Sequence, residues 1–405
     1  MRKYILYSTI LSLFLDTVIA RTSLFDIKTF YFILVLNFPF ILLTWDLKLP
    51  RFYMAIIGYV WVTGLLEVVF GPDRVPLYLK EVFGITITSF YFYLFFKYQK
   101  RSTTEIFDLY ARASAWVSLV GIFLSLIESL VAHAFVPVKS ILIEPSDFAI
   151  VMLPAFYYYA SMGKACEYRW RMWVILASIL LSVSSVGMLG IFLSVALLFG
   201  RRSWGLFVSI PLVGALFVAT YTSSEHFRLR VNDTVQSIST LEVQNANAST
   251  YALVSNAYVA ARALQERPFF GYGIGGHVVA HSKYLGDLLG PVGLTDETII
   301  NLNDRDANSL FLRTMSECGI IGIILIASFI VKFWTSGNSV QANVSTAIFI
   351  YFCMILLRSG KWFDPEIYFF VWIYVFTSHD AVTVDGKRGH TWVAGSIKVP
   401  QITVN

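Results

Sequence analysis

Stretches of about 20 predominantly apolar residues can cross the hydrocarbon of a bilayer as helices. This chain carries one after another between residues 4 and 378. Inside lipid the backbone polar groups of a segment must be satisfied within it, so these runs read as helices. They fall at 4–20, 27–45, 52–70, 82–96, 106–131, 148–162, 172–184, 186–200, 204–221, 309–334, 343–357 and 367–378. The expected fold is an all-α polytopic membrane protein of about twelve transmembrane helices with one large, partly helical loop. With 57% apolar and only 14% charged residues, the composition excludes an ordinary soluble domain. Arg2-Lys3 ahead of the apolar run to Ala20 has the outline of a signal peptide, with Val18-Ile19-Ala20 as a cleavage site. Further spans follow at once, so an uncleaved first helix is expected.

In a membrane protein the side on which charges sit matters more than the net +5. With the N-terminus in the cytoplasm, the larger share of Lys and Arg falls on the inner side, including Lys97, Lys100, Arg101, Arg201 and Arg202. That is the sense of the positive-inside rule. The expected organisation is helices 1–9 over residues 1–221, an outer loop over 222–308, helices 10–12 over 309–378 and a polar cytoplasmic tail over 379–405, read as disordered. Both termini are then cytoplasmic.

A loop as long as 222–308 is uncommon unless it serves as a lid or a binding site. It carries Arg228, Arg230, Arg262, Arg267 and Arg305 on a face that normally avoids cations. Guanidinium forks suit a diphosphate. The competing reading is ion pairing with Asp233, Glu242, Glu266 and Asp304, favoured for Arg262 and Arg267, whereas Arg228, Arg230 and Arg305 lean to the ligand. Within the loop, 250–264 has helical apolar spacing and ends before Arg267-Pro268. Gly271 to Gly276 then form an irregular turn, and the absence of a preceding strand rules out a dinucleotide fingerprint.

The densest constellation is Arg305-Asp306-Ala307-Asn308 ahead of Ser309-Leu310, with Glu317-Cys318-Gly319 further on. Asn308, Leu312 and Ser316 share one helical face, and Arg313 and Glu317 form an i,i+4 pair on another. Asn308 as helix N-cap, with Asp304 and Asp306 beside the positive helix end, accounts for part of it. A helix N-terminus also binds phosphate oxygens, so cap and site are compatible. Glu144-Pro145-Ser146-Asp147 reads as a helix start. The turn from Ser182 through Ser184, Ser185 and Val186 to Gly187 joins two short helices inside the membrane thickness, where freed backbone must line a cavity or be buried. Arg358 sits at the C-terminal end of a span, where a cation is favourable. Asp16, Glu67 and Glu128 are carboxylates within apolar spans, functional or snorkelling. His277 and His281 are four apart, but without a glutamate or a third ligand zinc is not expected. The three cysteines show no paired spacing and read as packing residues.

In this order the motifs resemble the O-antigen ligase and polymerase superfamily of bacterial lipid-linked polysaccharide polymerases and lipopolysaccharide ligases. The likeness covers residues 143 onward. It rests on Glu144-Pro145-Ser146, the hairpin Ser182 to Gly187, Arg267-Pro268-Phe269-Phe270-Gly271-Tyr272-Gly273-Ile274-Gly275, and Asn308-Ser309-Leu310 followed by Glu317-Cys318-Gly319. The resemblance implies an inverting, metal-independent, cofactor-free glycosyl transfer at the outer face of the bacterial inner membrane, with undecaprenyl-diphosphate-linked donor and acceptor. The bilayer and a chain-length regulator are the further partners, and nucleic acid is not one. Arginines would hold the diphosphate, here Arg228, Arg230 and Arg305 of the loop with Arg313 and Arg358 of the adjoining spans. A base on the loop-to-helix junction would help the acceptor attack, with Glu144, Ser185 and His277 lining the substrate cavity. Two positions depart from the pattern. Many members carry His where Ala307 stands, which leaves Asp304, Asp306 or His277 as base beside Asn308 and Glu317, or leaves most of the work to positioning because the diphosphate is a good leaving group. An arginine at the start of the 250–264 helix is replaced by Thr250-Tyr251. The expectation is a polysaccharide polymerase. Alternatives are a ligase that transfers finished glycan to lipid A core or protein, and a flippase, for which paired inverted halves and broken helices would be expected.

Overall fold

Residues with long apolar side chains and few breakers make helices wherever lipid or protein surrounds them, and helices dominate this chain. The structure is a computed structural model that describes residues 1–15, 18–21, 26–42, 49–70, 75–142, 144–163, 169–200, 248–289 and 300–393, with scattered positions between 211 and 236. In chain order the elements are α1 (Arg2–Ser12), strands β1 (Val18–Arg21) and β2 (Asp26–Lys28), α2 (Thr29–Leu42), α3 (Arg51–Phe70), α4 (Val75–Gln99), α5 (Thr103–Ala132) and α6 (Pro145–Met162). There follow α7 (Arg169–Leu181), α8 (Ser185–Gly200), α9 (Ala248–Glu266), α10 (His277–Leu289), α11 (Leu310–Lys332), α12 (Val340–Leu357) and α13 (Pro365–Val393).

Four of these, α4, α5, α11 and α12, are long and apolar enough to cross a membrane. Helices α2, α8 and the Arg51–Leu65 part of α3 are apolar but shorter. The expected span at 204–221 lies largely outside the described residues. Helix α5 exposes Trp116, Leu119, Val120, Phe123, Leu126, Ile127 and Leu130. A contiguous apolar face of that kind marks a surface built for lipid or a partner rather than water.

Of the boundaries that depart from the sequence reading, two change the character of a segment. The first helix ends at Ser12, and the expected run to residue 20 turns instead into the antiparallel pair β1–β2. Val18 and Ile19 are β-branched and favour extended backbone. At the other end, α13 continues past residue 378 to Val393 where a disordered tail is expected. Propagating an existing helix costs little compared with starting one.

The core is aromatic. On α4, Tyr91, Phe92, Tyr93, Phe95 and Phe96 are buried against Phe369, Phe370 and Trp372 of α13. The rings of Tyr93 and Trp372 lie 4.8 Å apart, and those of Tyr351 and Phe370 4.2 Å apart. Helix α6 is buried on every side from Phe148 to Tyr159, as an all-apolar helix must be. It packs against α5, α7, α8 and α12. The ends of α6, α8 and α12 thereby come together at one end of the bundle, beneath α9.

The loop has a core of its own. Tyr251, Val254 and Leu285 form one cluster, and Val259, Ala263, Tyr272, Ala280 and Tyr284 another, both between α9 and α10. Helix α9 also lies along α11.

Helix α11 is broken. Gly319 has φ 60° and ψ −158°, which interrupts the helical ladder. The segment 268–272 inserts there and satisfies the freed groups. Tyr272 N–H donates to Ser316 C=O at 2.7 Å, Ile320 N–H to Pro268 C=O at 2.8 Å and Ile321 N–H to Phe269 C=O at 3.4 Å. Tyr59 Oη donates to Cys318 C=O at 2.9 Å. Gly271 (φ 62°) and Gly319 face each other across this seam, and a Cβ on either would lie 2.5–2.8 Å from opposing backbone atoms. Broken helices survive at membrane depth only where neighbours re-satisfy the backbone in this way.

Candidate functional site

The junction between loop and helix is a tight turn. Asn303, Ala307 and Asn308 all take left-handed backbone, with φ of 62°, 56° and 58°. Asn tolerates that region, whereas a buried alanine in it is held by its surroundings. Asp306 provides the hold, its Oδ1 accepting from Asn303 Nδ2 at 2.8 Å and from Asn308 N–H at 3.0 Å. The cap of α11 is Ser309 rather than Asn308. Its Oγ accepts from Leu312 N–H at 3.3 Å and donates to Leu356 C=O at 2.6 Å, which ties the junction to the end of α12. Relieved of the capping role, Asn308 accepts a hydrogen bond from Arg358 through its Oδ1.

Asn308 and Arg358 open onto a cavity of about 1140 Å³. Its walls come from the segment before α6, the α7–α8 hairpin, the start of α9 and the junction itself. Glu144, Ser185, Thr250 and Asn303 are among the lining residues. Among the described residues that line it, Arg358 and Glu144 carry the charge and the hairpin serines Ser182, Ser184 and Ser185 supply hydroxyls. Of the expected site residues, this cavity therefore collects Glu144, Ser185, Asn308 and Arg358.

Arg313 and Glu317 lie elsewhere, in a buried knot. Arg313 is 2% exposed and Glu317 0%. Arg313 Nε donates to Glu317 Oε1 at 2.9 Å, Nη2 pairs with Glu81 Oε1 at 3.1 Å and Nη1 donates to Gly360 C=O at 2.7 Å. Glu317 Oε2 accepts from Trp362 Nε1 at 2.7 Å. Expected as a diphosphate ligand, Arg313 instead has its donors engaged inside the protein. Glu81 and Trp362 escaped the sequence reading because they reach this knot from distant segments. A helix begun at Val75 rather than residue 82 is the signal that would have placed Glu81 on a helix.

His277 is fully buried and doubly bonded. Its Nε2 lies 2.8 Å from Asn256 Oδ1 and its Nδ1 2.7 Å from Ser316 Oγ. Asn256 Nδ2 donates to Ala252 and Leu302 carbonyls, so its Oδ1 is the acceptor and His277 Nε2 carries the proton. Burial, with His281 and Arg313 nearby, pushes the His277 pKa well below the usual imidazole range. A neutral imidazole with both nitrogens occupied is an architectural group, away from the cavity wall.

The remaining expected residues spread around the junction. Half-buried Asp304 has its carboxyl pKa raised by burial, against the pull of His281 and Arg305. Arg305 is exposed, as is Arg228, whose neighbour Leu229 lines the cavity. Arg230 falls outside the described residues. Arg262 pairs with Asp287 at 3.7 Å, and Arg267 stacks over the Tyr272 ring at 4.3 Å. Of the intramembrane carboxylates, Asp16 and the Glu67 side chain lie outside the described residues, and Glu128 is exposed.

Comparison with known protein families and with curated proteins gives no match to this chain.

Proposed function

We propose that the chain is a glycosyltransferase that lengthens a polyprenyl-diphosphate-linked glycan at the outer face of the bacterial inner membrane, by moving the growing chain onto the next lipid-linked repeat unit. The observation that carries this reading is the cavity of about 1140 Å³ at the loop-to-helix junction, where Arg358, Asn308, the hairpin serines and Glu144 meet. A pocket for one small ligand occupies about 300–1,000 Å³, so this volume suits the sugar ends of a donor and an acceptor together. Hydroxyl and amide groups suit a glycan. A separate apolar cavity of about 180 Å³ is lined by Leu310, Leu356, Phe52, Ile57 and Phe329. A lipid-linked substrate needs apolar walls as well as polar groups, and the larger cavity has both, with Phe135, Val186, Leu253 and Leu357 beside the serines, Glu144 and Arg358.

The chemistry follows from charge. As the acceptor oxygen forms its bond to the anomeric carbon, the bond to the diphosphate breaks and negative charge builds on the leaving group. A preorganised guanidinium stabilises that charge without reorganisation at the moment of reaction. Arg358 is oriented for this by its bond to Asn308. Holding donor and acceptor in one chamber supplies proximity.

In cells, Arg358→Ala is expected to abolish long polymer, with glycan of single repeat units accumulating and the protein inserted at the wild-type level. Long polymer at wild-type abundance would remove the arginine from the reaction. Long polymer left on the carrier lipid would instead identify a ligase.

A further inference from the structure

Transfer of a sugar needs a group to take the acceptor's proton, and each expected base at the junction is otherwise engaged. Asp306 accepts from Asn303 and from the Asn308 amide, and holds the turn. His277 is closed in by Asn256 and Ser316. Asp304 interacts with His281 and Arg305 and does not line the cavity. Glu317 is bound by Arg313 and Trp362 inside the knot.

Glu144 differs from all four. It lines the cavity, and it is exposed to it rather than packed. It occupies the N-cap position of α6 with extended backbone, φ −118° and ψ 145°, yet its side chain makes no capping hydrogen bond. A carboxylate at that position ordinarily accepts from the first helical amides. Here it accepts from Ser146 Oγ at 3.1 Å, and Ser146 also lines the cavity.

Resting on the glycosyl-transfer reading above, we propose that Glu144 is the general base that accepts the acceptor's hydroxyl proton. The acceptor oxygen forms its bond to the anomeric carbon, the carbon–oxygen bond to the diphosphate breaks and its electron pair leaves with the diphosphate. The proton from the hydroxyl passes to Glu144, and no oxidant or metal enters the balance. The base and the cation then belong to different helices, with the serine hairpin between them in the chain.

The test uses full-length purified protein with a synthetic lipid-diphosphate-linked repeat unit. Glu144→Gln keeps the size and an acceptor oxygen for Ser146, and is expected to lower kcat by about 10²- to 10⁴-fold with KM for the donor unchanged. Added formate is expected to restore part of the rate in Glu144→Ala, where truncation leaves room for it, and none in Arg358→Ala. Transfer by Glu144→Gln at the wild-type rate overturns the assignment, as does a loss confined to donor binding or a Glu144→Ala loss that formate leaves untouched. If the unaltered protein transfers nothing, the failure belongs to the glycosyl-transfer reading and not to the choice of base.

Discussion

At the scale of single residues, the largest gap between pattern and structure is Arg313. Its i,i+4 relation to Glu317 is legible in the chain, but its burial is not, because Glu81, Gly360 and Trp362 arrive from other elements. Removing one member of a buried charge cluster leaves the others uncompensated, at a cost of about 3–5 kcal/mol. Arg313→Ala is therefore expected to unfold well below the wild type in detergent, read by thermal denaturation. A variant as stable as wild type would mean that the knot contributes little. A second prediction concerns pH. Because the folded pKa of His277 lies below its unfolded value of about 6.5, the folded state binds fewer protons as pH falls through that value. Stability then drops with acidification, by up to about 1.4 kcal/mol per pH unit for one such group. His281, also lowered by burial, acts in the same direction. Asp304, raised by burial, acts oppositely and at lower pH. The melting temperature should fall from about pH 7.5 to 5.5, with a shallower slope in His277→Gln. An equal slope in that variant would contradict the assignment.

At the scale of elements, most helices were legible because apolar runs between polar breaks have few other solutions, and the 250–264 helix reappears as Ala248–Glu266. Helix α10 was not, since His277 to Leu289 mixes polar and apolar residues and makes its core only with α9 and the glycine turn. The break in α11 was hidden too. A glycine inside an apolar run reads as helix until its partner segment is known, and here the partner is the 268–272 turn. Broken helices are expected of a flippase, and the break at Gly319 therefore removes that feature as a discriminator. Gly271→Ala and Gly319→Ala each force a side chain into left-handed backbone against opposing backbone. Each should cost about 1–3 kcal/mol and speed amide exchange at Ile320 and Ile321. Unchanged exchange would show that the seam tolerates a Cβ.

At the scale of the molecule, the helical, membrane-embedded character was plain from composition, and four of the ten charged and polar residues that line the cavity could be named in advance. The meeting of Glu144, Ser185, Asn308 and Arg358 could not, because it depends on how α6, α8 and α12 pack beneath α9. The account needs this cavity to face outward. In a cysteine-free background, an impermeant maleimide added to intact spheroplasts should label Ser249→Cys and leave Lys100→Cys unlabelled. The reverse pattern would put the cavity on the cytoplasmic side. The most direct measurement is of the reaction itself: purified protein in detergent, given only a lipid-diphosphate-linked repeat unit. The account predicts a ladder of products, each one repeat longer than the last, that disappears with Arg358→Ala. Substrate recovered at its original length from the unaltered, folded protein would contradict it.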